Sequence, residues 1–379
     1  MYRKKIIPML FICFLWALVF FTMFFKLGSS AVCQADEATH GVNAYEMAQN
    51  NEWLVNTYKY DTDYFNSKPP LSLWMIMISY KLFGYTPFAL RFASALFGFA
   101  SCVLITLYLI KNNGMLSALF FAAAFPTMTA LVEFHAFRSG DMDSIYCAFF
   151  ALAMISLLEV KKGRKKYLIL YGFALSLAIM TKGIHAGIIF LIGLLMLPQI
   201  IKKIDIKTTF LAFISAILIP AAWIFTRCSF DGTKFVLDAV LNEFQDKTSG
   251  RILSISAYAH DILTSKCYWL LIFTIVVNIL VLIIKSNKKS KDIIAWLKDR
   301  YPLILWSFIP FIMFSMTGTH YPWYIYPGYF GAVYFIAINA ADIISIPKKP
   351  VFSIIFSIFI ICFVSVKLRA YRILYLKLI

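Results

Sequence analysis

The sequence predicts an all-α bundle of about eleven membrane-spanning helices. Three observations carry that expectation. Of 379 residues 61% are hydrophobic, enough for about eleven apolar segments of roughly 20 residues each. The aromatic share is 17%, with 37 Phe, 21 Tyr and 8 Trp, a composition opposite to that of a disordered chain. The 36 Lys and Arg recur as short clusters between apolar runs, as in a chain threaded through a bilayer. A net charge of +17 would point to nucleic acid in a soluble protein, but here the positions of the charges matter more than their sum.

In chain order the expected spans are 7–25, 92–110, 115–131, 144–158, 167–180, 184–197, 208–226, 268–284, 302–316, 323–341 and 351–366. With Arg3, Lys4 and Lys5 on the cytoplasmic side, the inner loops collect 20 of the basic residues, although they are short. The outer segments 26–90 and 227–267 are far longer, yet the outer side before the C-terminal tail carries only 11. The positive-inside rule favours this orientation. An odd span count places Lys367, Arg369, Arg372 and Lys377 of the tail 367–379 outside, against the rule. The first apolar run is followed by no small-residue cleavage site and reads as a retained span. The expected organisation is therefore a transmembrane unit over 1–366 and a short basic tail.

Acidic residues run the other way. Only Glu159, Asp205, Asp292, Asp299 and Asp342 of the 19 Asp and Glu fall inside. Acids contribute little to topology, so the skew marks the outer face as the place of polar chemistry. Ordinary loop solvation accounts for the same skew without any function. Within 26–90, Ala38, Val42, Tyr45 and Ala48 recur at helical spacing. After Pro69 and Pro70, the residues Leu71, Trp74, Met75, Ile78 and Leu82 do so again. Both stretches are too short to cross a bilayer and suit interfacial helices roofing the outer end of the bundle.

Seven cysteines, an odd number, argue against a disulfide framework. No C-x-x-C, Walker loop or G-x-G-x-x-G is present, so an ATP-driven pump is not expected. What chemistry the chain carries lies at the outer ends of spans. Asp36 and Glu37 follow the first span; His135 and Arg138 precede Asp141 and Asp143; Thr181, Lys182, Gly183 and His185 form a turn. Arg251, His260 and Asp261 lie in the second outer loop, and His320, Tyr321 and Tyr324 follow the 302–316 span. Ionisable groups at membrane depth face a polar cavity or a partner. Carboxylates beside cations are what binding an anionic headgroup and moving a proton require. Structural ion pairing within the bundle is the competing account for each of them.

The first loop, ADEATHGVNAYEMAQNNEW followed by YFNSKPPLSLWMIMISYKLFGYTPFALRFASALFGF, resembles that of the GT-C class of membrane glycosyltransferases. Within the class it is most similar to the bacterial aminoarabinose transferases and protein O-mannosyltransferase-like enzymes, the ArnT-like family. The shared features are Asp36-Glu37, Glu46-Met47, Lys68-Pro69-Pro70-Leu71, Phe83-Gly84 and Arg91. SGDMDSIYCAFFALA, AIMTKGIHAG, NEFQDKTSGRILSISAYAHD and FSMTGTHYPWYIYPGYFGAVY extend the resemblance to about residue 345.

This resemblance implies a GT-C fold and an inverting transferase. Its expected donor is a polyprenyl-phosphate sugar, its acceptor a lipid A-like glycolipid or a protein, and its site the outer face of a bacterial cytoplasmic membrane. It implies Asp36 as base or orienting carboxylate with Glu37 beside it, and Asp141 or Asp143 as a second acid. Lys68, Lys182 and Arg251 are the implied phosphate ligands, with Tyr321 and Tyr324 as hydrogen-bond donors. Ser67 stands where the aminoarabinose transferases carry a Glu that helps hold a divalent metal, so that ligand is missing here; His260 and His320 are the remaining candidate metal ligands. His320 also stands where relatives commonly carry Lys. Two other readings are a polyprenyl-lipid transporter or flippase and a non-catalytic subunit that binds lipid-linked sugar. A transporter calls for internal repeats and broken spans in two matching halves, and no such repeat is found.

Overall fold

The computed structural model describes residues 3–32, 34–128, 131, 135–248, 254–264, 271–272, 274–276, 278–279 and 289–344. The expected span 351–366, the tail 367–379, most of 268–284 and Arg251 lie outside the described residues, as do Cys33 and Cys267. Within them the chain is helical apart from one two-stranded hairpin, β1 (Thr57–Tyr58) and β2 (Asp61–Thr62), paired antiparallel.

The helices are α1 (Arg3–Phe24), α2 (Ala35–Gln49), α3 (Leu71–Phe83), α4 (Pro87–Asn112), α5 (Met115–Ala124), α6 (Asp143–Lys161), α7 (Tyr167–Lys182), α8 (Gly187–Ile200), α9 (Ile206–Asp231), α10 (Lys234–Thr248), α11 (Ser254–Thr264), α12 (Lys289–Ser315) and α13 (Tyr326–Ile344). Six apolar runs among the described residues are long enough to cross a membrane. One of them, Tyr167–Lys203, covers 37 residues, which as a single helix would extend about 55 Å, far beyond a hydrocarbon core. It is instead folded back. Gly183, at φ +56°, ends α7 in a conformation that glycine adopts without penalty, and a 3₁₀ turn Gly183–Ala186 leads into α8. The Tyr171 hydroxyl of α7 then donates to the Ile189 carbonyl of α8 at 2.9 Å. The two spans expected over 167–180 and 184–197 are thus separate helices.

Two elements depart from expectation. The span expected over 115–131 is helical for only ten residues in α5 before a 3₁₀ turn at Phe125–Thr127. Pro126 has no N–H to give the preceding turn, so the α-helical ladder stops there. By contrast α12 begins well before the expected span 302–316, and charged residues 291–300 form its first half.

Burial separates the centre from the rim. The runs of α13 and α6 are 89% and 78% buried in the bundle, whereas those of α1 and α9 are 22% and 17% buried and present apolar flanks. Phe125 packs on Phe137 at 5.5 Å and on Phe330 at 5.3 Å between ring centroids. Phe330 is therefore packed in the core. At the far end of α6, buried Glu159 accepts from Tyr108 at 2.8 Å and Lys162 at 3.0 Å and pairs with Arg164.

The roof is built, with Leu73, Ile76, Met77 and Tyr80 of α3 packed in an apolar cluster against Ala44 and Met47 of α2, but its buried faces are not the stripes expected from the sequence. Ile78 and Leu82 of α3 and Tyr45 of α2 are exposed, while the buried side of α2 carries Glu37, His40, Asn43 and Glu46. An interfacial helix has two neighbours: its apolar stripe meets lipid and its polar stripe meets the protein below. Asn43 donates to the Thr57 carbonyl at 2.6 Å and to Asp63 at 2.9 Å, and Glu46 accepts the Tyr60 N–H at 2.9 Å. Tethered in this way, α2 holds its first turn over the ends of α4, α6 and α7.

Candidate functional site

The end of the bundle beneath the roof is stapled by buried ion pairs before any function is considered. Glu37, in the first turn of α2, takes Arg91 of α4 through two bonds, Nε to Oε1 at 2.6 Å and Nη2 to Oε2 at 3.0 Å. Its Oε1 also accepts the Gly140 N–H at 2.8 Å, and Arg91 donates to the Leu27 and Ser30 carbonyls beyond α1. Glu37 is thus committed to positioning four segments rather than facing the cavity. Gly140 fits because a Cβ there would lie 2.6 Å from the Leu90 side chain. Arg138 caps the end of α1 by donating to the Thr22 and Phe25 carbonyls at 2.7 and 2.8 Å.

The segment 135–142 so anchored carries the centre. Asp141 is buried; its Oδ2 accepts from Ser139, and its carbonyl accepts from Ser94 at 2.8 Å. His135 stands with Nδ1 3.3 Å from Asp141 Oδ1 and its ring stacked on Trp323 at 3.7 Å. Asp36, exposed at the start of α2, completes the group: ligand atoms of Asp36, His135 and Asp141 lie within 4.8 Å of one another. Asp143 does something else. It is buried and paired with Lys182 at the end of α7, whose ammonium sits 4.8 Å over the Tyr324 ring. The two carboxylates left open by the sequence are therefore distinguished by location: Asp141 faces Asp36, and Asp143 neutralises Lys182.

Lys68 is half-buried at the base of α3, and Pro69 beside it lies 3.6 Å from where a Gly183 Cβ would be, so the Lys-Pro-Pro and Thr-Lys-Gly motifs meet. His40 lies one helical turn after Asp36 and is held by Asn66 at 3.1 Å. Burial pushes its imidazole below the ordinary value of 6.5, with the Asp141 and Asp36 charges opposing and Lys68 reinforcing. In the second outer loop the Tyr258 hydroxyl donates to the Tyr321 carbonyl and accepts the Tyr321 N–H, both at 3.0 Å. The Tyr321 ring packs 5.2 Å from Tyr324. Arg251 lies outside the described residues.

His260 is exposed, and His320 pairs through Nε2 with Asp261 at 2.7 Å. Ser67 offers a hydroxyl in place of a carboxylate, so this donor set does not fit a divalent metal. Among the described residues, the one group of three or more potential ligands is Asp36, His135 and Asp141, which includes neither histidine. The sequence reading passed over His40 and Trp323. The four-residue spacing of Asp36 and His40, which puts both on one face of α2, is the signal that would have found His40.

A helical roof over an outer polar centre in a polytopic bundle is the GT-C arrangement, and comparison with known proteins agrees. Against ArnT of Cupriavidus metallidurans crystallised with undecaprenyl phosphate, the fold superposes with a TM-score of 0.68 over 87% of this chain and 60% of that one, at 16% identity. Residues 67–225 match the sequence profile of the dolichyl-phosphate-mannose-protein mannosyltransferase family. The chain shares the membrane-embedded GT-C fold of that ArnT structure. It is 26% identical over 326 residues to an undecaprenyl phosphate-alpha-4-amino-4-deoxy-L-arabinose arabinosyl transferase of Proteus mirabilis, covering 81% of this chain and 55% of that one. It is 27% identical over 325 residues to an uncharacterized protein of Aquifex aeolicus, covering 81% of this chain and 59% of that one. The chain thus spans less than three-fifths of the length of these two relatives.

Proposed function

We propose that this protein is a glycosyltransferase that moves a single sugar from a polyprenyl-phosphate carrier to a glycolipid or protein acceptor. The reaction would take place at the outer face of a bacterial cytoplasmic membrane, with the N-terminus cytoplasmic. The observation that carries the reading is the pairing of an exposed carboxylate, Asp36, with a buried one, Asp141, at the outer end of the bundle close to Lys68. The named relatives and the undecaprenyl phosphate held by the structural neighbour support the donor class.

In this reading the acceptor's hydroxyl or amine attacks the anomeric carbon from the face opposite the phosphate. The carbon–oxygen bond to the carrier breaks, and the phosphate leaves with the electron pair. Asp36 takes the proton that the acceptor loses, which its exposure allows. Lys68 supplies positive charge to the departing phosphate, and Tyr324 and Tyr321 supply hydroxyls near it. Lys182, tied to Asp143, holds Tyr324 in place beneath its ammonium rather than meeting the phosphate alone.

Transfer of label from radiolabelled polyprenyl-phosphate sugars to membrane extract tests the proposal. The native protein should label a lipid or protein product, Asp36→Asn should lose at least about 100-fold in turnover while still binding donor, and Lys68→Ala should bind donor more weakly. Equal donor binding by native and Asp36→Asn protein, with no sugar of a panel ever transferred, would replace the transferase with a binding or transport role.

A further inference from the structure

The buried side of α2 carries a chain of hydrogen bonds whose direction is fixed from one end to the other. Asn43, fully buried, turns its amide nitrogen to the Thr57 carbonyl at 2.6 Å and to Asp63 Oδ2 at 2.9 Å. Carbonyl and carboxylate oxygens accept, so both hydrogens of that nitrogen are spent and Asn43 Oδ1 is left as an acceptor. The Asn66 side chain meets this oxygen at 2.7 Å and therefore presents its own nitrogen. The second hydrogen of the Asn66 nitrogen goes to His40 Nδ1 at 3.1 Å. An imidazole nitrogen that accepts carries no proton, so the proton of His40 sits on Nε2.

The far end of the chain is locked. Asp63 spends Oδ1 on the N–H groups of Phe65 and Asn66 at 2.9 and 3.0 Å, and Asn56 donates to the Asn66 carbonyl at 2.9 Å. Reversing any one amide would set two donors or two acceptors face to face among side chains that are all buried, where such a mismatch is costly. His40 is thus held as the neutral tautomer with an Nε2–H, and burial, which opposes a second proton on the ring, acts in the same sense. Among the described residues that N–H meets no acceptor, although His40 is only 8% exposed. An unmet donor on so buried a side chain calls for a ligand. The charges that act on His40 are those of Asp141, Asp36, Lys68 and His135, so the ligand lies in the carboxylate centre beneath the roof.

We infer that His40, protonated on Nε2 alone, donates that N–H to a hydroxyl of the donor sugar. A hydroxyl both donates and accepts, so it fits between an imidazole N–H and a nearby carboxylate. A phosphate accepts only, and the carboxylates repel it toward Lys68. An ammonium donates only and leaves the Nε2–H unmet. His40 is on this account a specificity residue, and Asp63, Asn43 and Asn66 are positioning residues that act through it. Without them the proton is free to move to Nδ1, and the hydroxyl faces a lone pair in place of a donor. The sugar contact rests on the transferase reading, whereas the tautomer follows from the hydrogen bonds alone.

The test is solid-state NMR of the full chain, labelled with ¹⁵N-histidine and held in lipid bilayers at neutral pH, where protonated and bare ring nitrogens give separate signals. Of the five histidines, His40 is identified by the signals lost in His40→Gln. We expect its Nε2 to carry the proton and its Nδ1 to be bare. Polyprenyl-phosphate mannose, a neutral hexose donor, should move the Nε2 signal, and polyprenyl phosphate alone should not. Among the monodeoxy forms of that donor, one should bind native protein about 10-fold more weakly than the parent, and His40→Phe should bind the two alike. A proton on Nδ1, an Nε2 signal that polyprenyl phosphate moves equally, or one that neither ligand moves would overturn the inference, and the native spectrum decides this whether or not His40→Phe folds. An Nε2–H that responds to the sugar in a protein that transfers none would retain the contact and sink the transferase reading. Sugar transfer by a protein whose Nε2 is bare would do the reverse.

Discussion

Glu37 and Arg91 show how a residue can look catalytic and be structural. Glu37 adjoins Asp36 in sequence, but one helical step turns its side chain by about 100° from the cavity into the stack of α1, α4 and the segment before α6. Removing one partner of a buried, hydrogen-bonded pair leaves the other charge stranded at a cost of about 3–5 kcal/mol. Arg91→Ala and Glu37→Ala should each lower the melting temperature strongly in detergent thermal scans, whereas Asp36→Ala, exposed, should change it little. A second residue-scale expectation concerns pH. The His40 imidazole is held below 6.5 by burial, so at neutral pH it is uncharged in both folded and unfolded chains and contributes no pH dependence. As pH falls below 6.5 the unfolded chain takes up a proton that the folded one refuses, and stability declines. The melting temperature of native protein should therefore fall between pH 6.5 and 5 more steeply than that of His40→Gln.

At the scale of elements, the turn between α7 and α8 sets the geometry beneath the roof. Gly183 reverses the chain, places Lys182 against Asp143 and touches Pro69 of the roof. A Gly183→Ala change forces a side chain into the left-handed region at a cost of about 1 kcal/mol, while its Cβ would lie 3.6 Å from Pro69, an ordinary contact. We expect Gly183→Ala to fold with a modestly lower melting temperature and a larger loss of donor binding, read by titration with a polyprenyl phosphate. Equal binding by the two proteins would show that the roof does not depend on this contact. The interfacial helices were legible as elements but not as faces. The apolar stripes Ala38–Val42–Tyr45 and Trp74–Ile78–Leu82 mark α2 and α3, yet α2 buries the side carrying His40, Asn43 and Glu46, and α3 the side carrying Leu73, Ile76, Met77 and Tyr80. Periodicity reports where apolar residues cluster, and in an interfacial helix that is the lipid side.

Among the described residues, polar clusters gather at both ends of the apolar bundle. One end gathers Glu159 with Lys162 and Arg164, and Lys165 with Asp205; the other, beneath the roof, gathers the carboxylate centre. Orientation is testable at that scale. Tyr60, 63% exposed on the roof hairpin, replaced by Cys should react with a membrane-impermeant maleimide in intact cells. Lys165→Cys, between α6 and α7, should react only after permeabilisation. Both substitutions are made in a background in which all seven native cysteines are replaced. The opposite labelling pattern would invert the chain and move the carboxylate centre to the cytoplasm.

What the sequence determined by itself is local and chemical. Apolar runs set the spans because a bilayer admits only segments that satisfy their own backbone. Glycine set the break at Gly183, and the short motifs placed Asp36, Lys68, Asp141 and Lys182 at one end of the expected bundle, whereas the break at Pro126 came only with the structure. Tertiary structure alone decided which partners those residues take, because a charge pairs with whatever lies within a few ångströms and that distance is unrelated to separation along the chain. It gave Asp143 to Lys182 and Glu37 to Arg91, brought His135 from an irregular segment onto Trp323, and left Asp141 facing Asp36 across 105 positions of sequence.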